Sequence, residues 1–198
     1  MRTRPSVSLA ATLPLLAALA CGGAPPPAST TPSTNAVVTG AASSSPAATP
    51  AAPGAIAIDA VPPDFAATAS DGTPVQLSAL KGKPVVVYFY PKDETPGCTT
   101  EACSFRDAWT SLAKKGVVLI GVSADTDESH RAFAQNHKLP FLLVSDSNGA
   151  IARQFGVPVH DGIIARQSFV IGADGKMKKI YRTVDVTAHA AQIAADVQ

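Results

Sequence analysis

The chain has 198 residues, 16 Lys and Arg against 15 Asp and Glu, a net charge of +1, and 6% aromatic residues. That near-balance excludes a nucleic-acid binder, which would carry a basic face. Three cysteines are too few for a disulfide scaffold. The averages hide a division: residues 22–58 contain no charged side chain, and Arg2 and Arg4 are the only ones before residue 59. Residues 59–198 hold all the Phe, Tyr and Trp, with 14 basic residues against 15 acidic ones, and are enough for one core.

Arg2 and Arg4 precede an uncharged, Leu- and Ala-rich stretch from Pro5 to Ala20. This is the pattern of an export signal over residues 1–21. It is short for a membrane span, which takes about 20 apolar residues. The stretch ends in Ala18-Leu19-Ala20-Cys21-Gly22, which supports two processing routes. Small residues before a lone cysteine resemble a bacterial lipobox, making Cys21 the lipid-modified first residue of the mature protein. Leu19 and Ala18 stand in the reverse of the usual lipobox order, and Ala18-x-Ala20 is also an ordinary signal-peptidase site that would release a soluble protein. The lipid-anchored route is favoured, because an unpaired thiol at the start of an exported chain is a liability. Residues 22–58, built from Ala, Pro, Ser, Thr and Gly, read as a disordered, semi-extended linker.

The remainder alternates strand and helix signals. Pieces at 64–77, around Phe65 and Val75-Gln76-Leu77, read as a hairpin. Val85–Tyr90 is a β-branched and aromatic run of the kind buried on both faces of a sheet. Cys98–Lys115 has helical spacing, and Val117–Ser123 reads as a second buried strand. Thr126 is placed to cap a helix whose first turn holds Asp127 and Glu128. A short strand at Phe141–Val144, the turn Asp146–Gly149 and a short helix at Ile151–Phe155 follow. Gln167–Ile171 and Lys178–Arg182 flank Ala173-Asp174-Gly175, a hairpin signal. Ala190, Ile193, Ala194 and Val197 close the chain with one apolar helical face. The order implies an α/β sandwich with a mixed central sheet flanked by helices.

The chemistry concentrates in Pro91-Lys92-Asp93-Glu94-Thr95-Pro96-Gly97-Cys98-Thr99-Thr100-Glu101-Ala102-Cys103, between a buried strand and a helix. Pro96-Gly97 is a turn, so Cys98 falls in the first helical turn, where free N–H groups and the macrodipole favour a thiolate. Ala102, Phe105, Trp109 and Leu112 share its face, so Cys98 is expected in a sheltered pocket. Cys103 is five residues on, rotated about 140° with a rise of about 7.5 Å. Their Cα atoms then lie roughly 8–9 Å apart, beyond disulfide reach without backbone movement. A static Cys-x-x-Cys dithiol is excluded. A thiolate oxidised to sulfenic acid, then captured by a second thiol after local unwinding, fits the spacing.

Pro91-x-x-x-Thr95-x-x-Cys98 resembles the active-site motif of peroxiredoxins. The longer string YFYPKDETPGCTTEACSFRD, with GVSADTDESHRAF, LPFLLVSD and ARQSFVI, is similar to the bacterioferritin comigratory protein (peroxiredoxin Q) branch over about all of 59–198. The resemblance implies a thioredoxin-like fold and the reduction of hydrogen peroxide and organic hydroperoxides by a monomer without a metal or organic cofactor, re-reduced by a thioredoxin-like or other thiol. It makes Cys98 the peroxidatic and Cys103 the resolving cysteine. It has Thr95 bond the peroxide and the thiolate through its hydroxyl, Pro91 shield the pocket, and Arg166 serve as the active-site arginine. Otherwise Cys103 is a spectator and the second thiol comes from a partner or a small molecule. Glu101 reads either as a first-turn dipole partner or as a group orienting Arg166. The four histidines read as solvent-facing or capping, Asp93-Glu94 and Lys114-Lys115 as solvated, and Trp109 and the phenylalanines as core.

An exported copper-delivery module of the same fold is the competing reading, with Cys98, Cys103 and His160 as ligands. Such modules pair Cys-x-x-x-Cys, one residue closer than here, and leave Thr95 and Arg166 without a purpose. A thiol–disulfide oxidoreductase would need Cys-x-x-Cys. The favoured expectation is an exported thiol peroxidase of the cell envelope.

Overall fold

The computed structural model describes residues 56–197. The export signal, Cys21 and the linker up to residue 55 lie outside the described residues. In chain order the elements are β1 (Ala66–Thr68), β2 (Pro74–Gln76), a 3-10 turn at Leu77–Leu80, β3 (Val85–Phe89), α1 (Pro96–Lys114), β4 (Val118–Ser123), α2 (Asp127–His137), β5 (Leu142–Ser145), α3 (Ala150–Gln154), β6 (Val159–His160), β7 (Ile163–Ile164), β8 (Gln167–Ile171), β9 (Met177–Tyr181) and α4 (His189–Asp196). The predicted elements are present, most with ends shifted by one or two residues. The two-residue strands of the β6–β7 hairpin carry too little periodicity to be read beforehand.

The central sheet has the order β5-β4-β3-β8-β9. β3 pairs parallel with β4 and antiparallel with β8, so the sheet is mixed. The apolar run of β3 divides between its two faces, as a period of two requires. Val85, Val87 and Phe89 enter one core with Phe65, Phe155 and Phe169. Val86, Tyr88 and Tyr90 enter the other, with Phe105 of α1, Phe133 of α2 and Ile193 of α4. All seven Phe are buried, whereas Trp109 is only partly covered. Gly121 lies opposite Tyr88 in the register, and a Cβ there would stand 2.7 Å from the Tyr88 ring and 2.8 Å from Leu143. A glycine at that point therefore lets the ring lie flat across the sheet.

Local chemistry sets the element ends. The Thr126 hydroxyl accepts the Ser129 N–H and caps α2, as its sequence position implied. The Asp146 carboxylate accepts from the N–H groups of Ile151 and Ala152 at the start of α3. Gly175 takes φ +76 in the turn between β8 and β9. Lys115 is exposed but not simply solvated: its ammonium donates to the Ala194 and Val197 carbonyls at 2.8 Å and closes the end of α4.

Candidate active site

β3 ends at Phe89, which pairs with Gln167 at the start of antiparallel β8. This register brings Arg166, one residue before β8, to the carboxyl end of β3, where the chain leaves for α1. Loops at the carboxyl ends of parallel strands are the usual ligand-binding edge of an α/β sheet.

α1 starts at Pro96 with Thr95 as its N-cap, so Cys98 lies in the first turn, 2% exposed and reduced. First-turn amides have no intrahelical acceptor. The Arg166 guanidinium donates through Nη2 to the Cys98 sulfur at 3.0 Å and through Nη1 to a Glu101 carboxylate oxygen. One planar fork thus spans the thiol and the acid, a geometry suited to Arg and not to Lys. Burial opposes the charge on Arg166, but Glu101 and Cys98 outweigh it and raise its pKa. Gly97 lies against the guanidinium: a Cβ there would meet Nη2 at 3.6 Å, an ordinary contact.

Glu101 is completely buried and accepts from the Arg166 guanidinium, the contact expected of a group that orients Arg166. Burial pushes its pKa up to about 7 against the pull of Arg166. Its second oxygen, Oε1, has no hydrogen-bond partner and stands 3.9 Å from His189 Nε2. His189 is also fully buried and bonds the Ser168 hydroxyl at 2.8 Å; burial lowers its pKa to about 4.

Two expectations for polar residues are corrected. Asp93 is enclosed, not solvated: its carboxylate accepts from the Tyr90 and Ser129 hydroxyls at 2.7 Å and meets His130 Nδ1 at 2.8 Å. Burial opposes the Asp93 charge, but these bonds, His130 first, hold its pKa below the ordinary value. His130 and His189 face the interior, each with no solvent exposure, because a hydrogen-bonded partner waits there. The Thr95 hydroxyl donates to the Lys92 carbonyl at 2.9 Å. Pro91 is half-buried beside the loop.

Cys103 is reduced, partly buried and in the same unbroken helix as Cys98. Its sulfur is 4.0 Å from His137 Nδ1 on α2. Nothing in the geometry favours the copper reading. His160 is exposed on β6, the Cys98 sulfur faces a guanidinium that would repel a cation, and among the described residues no three His, Cys, Asp or Glu side chains converge as a metal site.

Residues 58–180 match the AhpC/TSA family. The chain is 46% identical over 122 residues to the chloroplastic peroxiredoxin Q of Sedum lineare, covering 61% of this chain and 66% of that protein. It is 41% identical over 138 residues to the putative peroxiredoxin bcp of Coxiella burnetii, covering 66% and 91%. The alignments thus span just under two thirds or less of the first chloroplastic relatives' length and most of the bacterial one. Among solved structures, peroxidoxin BcpB of Mycobacterium tuberculosis superposes with a TM-score of 0.66 at 34% identity, over 72% of this chain and 96% of that one. The bacterioferritin comigratory protein of Xanthomonas campestris gives 0.62 at 36% identity, over 66% and 88%. The thioredoxin-like fold, the mixed sheet and these matches agree: the chain belongs to the AhpC/TSA family, in its peroxiredoxin Q and bacterioferritin comigratory protein branch.

Proposed function

We propose that this chain is an exported thiol-dependent peroxidase that reduces hydrogen peroxide and organic hydroperoxides. The observation that carries the reading is the Arg166 fork, 3.0 Å from the sulfur of a buried cysteine in the first turn of a helix. Alkyl peroxide reduction is an activity of the Xanthomonas campestris relative.

In the first step the Cys98 thiolate attacks the terminal peroxide oxygen. An S–O bond forms, the O–O bond breaks, and the leaving oxygen takes a proton to become water or an alcohol. Arg166 and the first-turn amides are fixed donors aimed at the charge that develops on oxygen. Pro91 borders the pocket, and the Thr95 hydroxyl, once turned from Lys92, is the group for the peroxide. In the second step Cys103 attacks the Cys98 sulfenic acid and water leaves. The five-residue spacing in α1 demands that the first helical turns unwind.

Those turns are built weakly. Thr99 and Thr100 are poor helix formers. The Thr100 hydroxyl bonds the Pro96 carbonyl and the Ser104 hydroxyl the Thr100 carbonyl, both at 2.9 Å, a back-bonding that slightly loosens a helix. A thioredoxin-like or other thiol reductant then reopens the disulfide, and the protein acts as a monomer. Arg2, Arg4 and the apolar stretch to Ala20 support export, and Cys21 supports a lipid tether to the cell envelope. An unmodified Cys21 in the mass spectrum of the mature protein would remove the tether.

The test is hydrogen peroxide loss under excess dithiothreitol by the chain carrying Cys21→Ser. Catalytic loss is expected, abolished in Cys98→Ser and retained in Cys103→Ser, where the small thiol resolves the sulfenic acid. An inert protein, or full activity in Cys98→Ser, rejects the reading.

A further inference from the structure

The side chain of Glu94 is solvent-exposed and reaches across to α2. Its carboxylate accepts from the Asn136 amide at 2.9 Å through one oxygen and meets His137 Nε2 at 2.9 Å through the other. These two bonds, His137 first, hold the Glu94 pKa below its ordinary value. Glu94 adopts φ +58, a left-handed conformation that is unfavourable for a non-glycine residue. A strained backbone that delivers a carboxylate to a histidine points to a use for that pair.

An ionised carboxylate only accepts, so the proton of a neutral His137 ring sits on Nε2. Nδ1 is then a free lone pair, and it faces the Cys103 sulfur at 4.0 Å. The buried Phe133 ring meets the imidazole edge-on at 5.0 Å and fixes its plane. The charged and titratable groups facing the thiol are His137 from α2, Glu94 behind it, and Arg106 from α1. Arg106 is paired with Asp107 and bonded to the His137 carbonyl at 3.0 Å. Acid, imidazole and thiol therefore form a row, the arrangement that activates a cysteine nucleophile.

We infer that His137, oriented by Glu94, is the general base that takes the Cys103 thiol proton in the resolving step. The inference rests on Cys103 being the resolving cysteine. The proton passes from Cys103 Sγ to His137 Nδ1. The Cys103 thiolate attacks the Cys98 sulfenic sulfur, the S–S bond forms and the S–O bond breaks. The released hydroxide becomes water as the imidazolium gives up its proton. Cys103 sulfur is oxidised and the sulfenic sulfur reduced, with no other reactant. Glu94 lies before Pro96, outside the turns that unwind, so the base stays oriented while Cys103 departs.

The experiment is a single turnover of the full chain carrying Cys21→Ser, reduced and mixed with one equivalent of hydrogen peroxide from pH 5.5 to 9. Acid-quenched samples are alkylated, and mass spectrometry counts sulfenic acid and Cys98–Cys103 disulfide. The expected result is a disulfide step slowed about 100-fold in His137→Asn at pH 7, with sulfenic acid accumulating. The deficit closes toward pH 9, where hydroxide takes the thiol proton in place of the ring. A purely structural loss would not close with pH. Glu94→Gln, should His137→Asn not fold, is expected to slow the same step with the same pH trend. The alkylation rate of Cys103 in Cys98→Ser, compared with and without His137→Asn, is expected to fall in the double variant. Disulfide formation at the parent rate in both His137→Asn and Glu94→Gln overturns the base and leaves the peroxidase reading standing. No Cys98–Cys103 disulfide in the parent overturns Cys103 as the resolving cysteine, and the base with it.

Discussion

His130 and His137 stand seven residues apart on one face of α2 and take the adjacent carboxylates Asp93 and Glu94, at 2.8 and 2.9 Å. Seven residues are two turns, about 10 Å of helix. The loop that carries Pro91 and Thr95 is thus fastened to α2 at two points, which holds the entrance of α1 in place while its first turns open.

The inner fastening predicts a stability loss. Asp93→Asn leaves hydroxyl and imidazole donors around a neutral amide, one of whose two positions can only donate. A loss of about 1.5–3 kcal/mol is expected in urea denaturation. The folded Asp93 pKa lies below its ordinary value of 3.8, so its contribution is present above that pH and fades as pH falls below it. The gap between parent and variant should therefore narrow in acid. A gap that widened would contradict the network.

Arg166 is predicted to control the first chemical step. Arg166→Lys keeps a charge but cannot span Cys98 and Glu101 together. Stopped-flow formation of the sulfenic acid should slow by about 10²–10³-fold, the usual loss for one charge-stabilising donor. A lysine variant within a few-fold of the parent would show that charge alone suffices and that the fork is incidental.

Glu101 and His189 predict opposing pH slopes. Glu101 titrates near 7 in the fold against an ordinary 4.5, so its contribution is full below 4.5 and lost as pH rises through 7. His189 titrates near 4 against 6.5, so its contribution is full above 6.5 and lost as pH falls toward 4. Between pH 4.5 and 6.5 the two offset each other. Glu101→Gln should make the protein less stable on acidification across that window, and His189→Asn more stable. Denaturation midpoints with the same slope in all three proteins would rule out this opposition.

Thr100→Ala should slow resolution. The exposed alanine raises helix propensity by about 0.5 kcal/mol and removes the hydroxyl bonded to the Pro96 carbonyl. A folded state firmer by that amount opens about two- to three-fold less often. Disulfide formation after a single turnover is the readout, and an unchanged or faster rate would mean that unwinding does not limit the step.

Much of the fold was legible residue by residue. The apolar run of β3, the Thr126 cap, the Asp174-Gly175 turn and the apolar face of α4 are local statements, because φ/ψ preferences and face periodicity act over a few residues. Pro96-Gly97 before Cys98 likewise located the thiol at a helix start, and the five-residue step to Cys103 alone implied unwinding. The polar interior was not legible. Asp93 and His130, 37 residues apart, and Glu101 and Arg166, 65 apart, look like ordinary surface charges in a linear reading. Whether a charge is buried depends on a partner that offsets its desolvation, and that partner arrives only when the sheet brings distant segments together. The same holds for Glu94, His137 and Cys103. Their residue types and spacing in the chain carry no sign of a row, and only the packing of α1 against α2 lines them up.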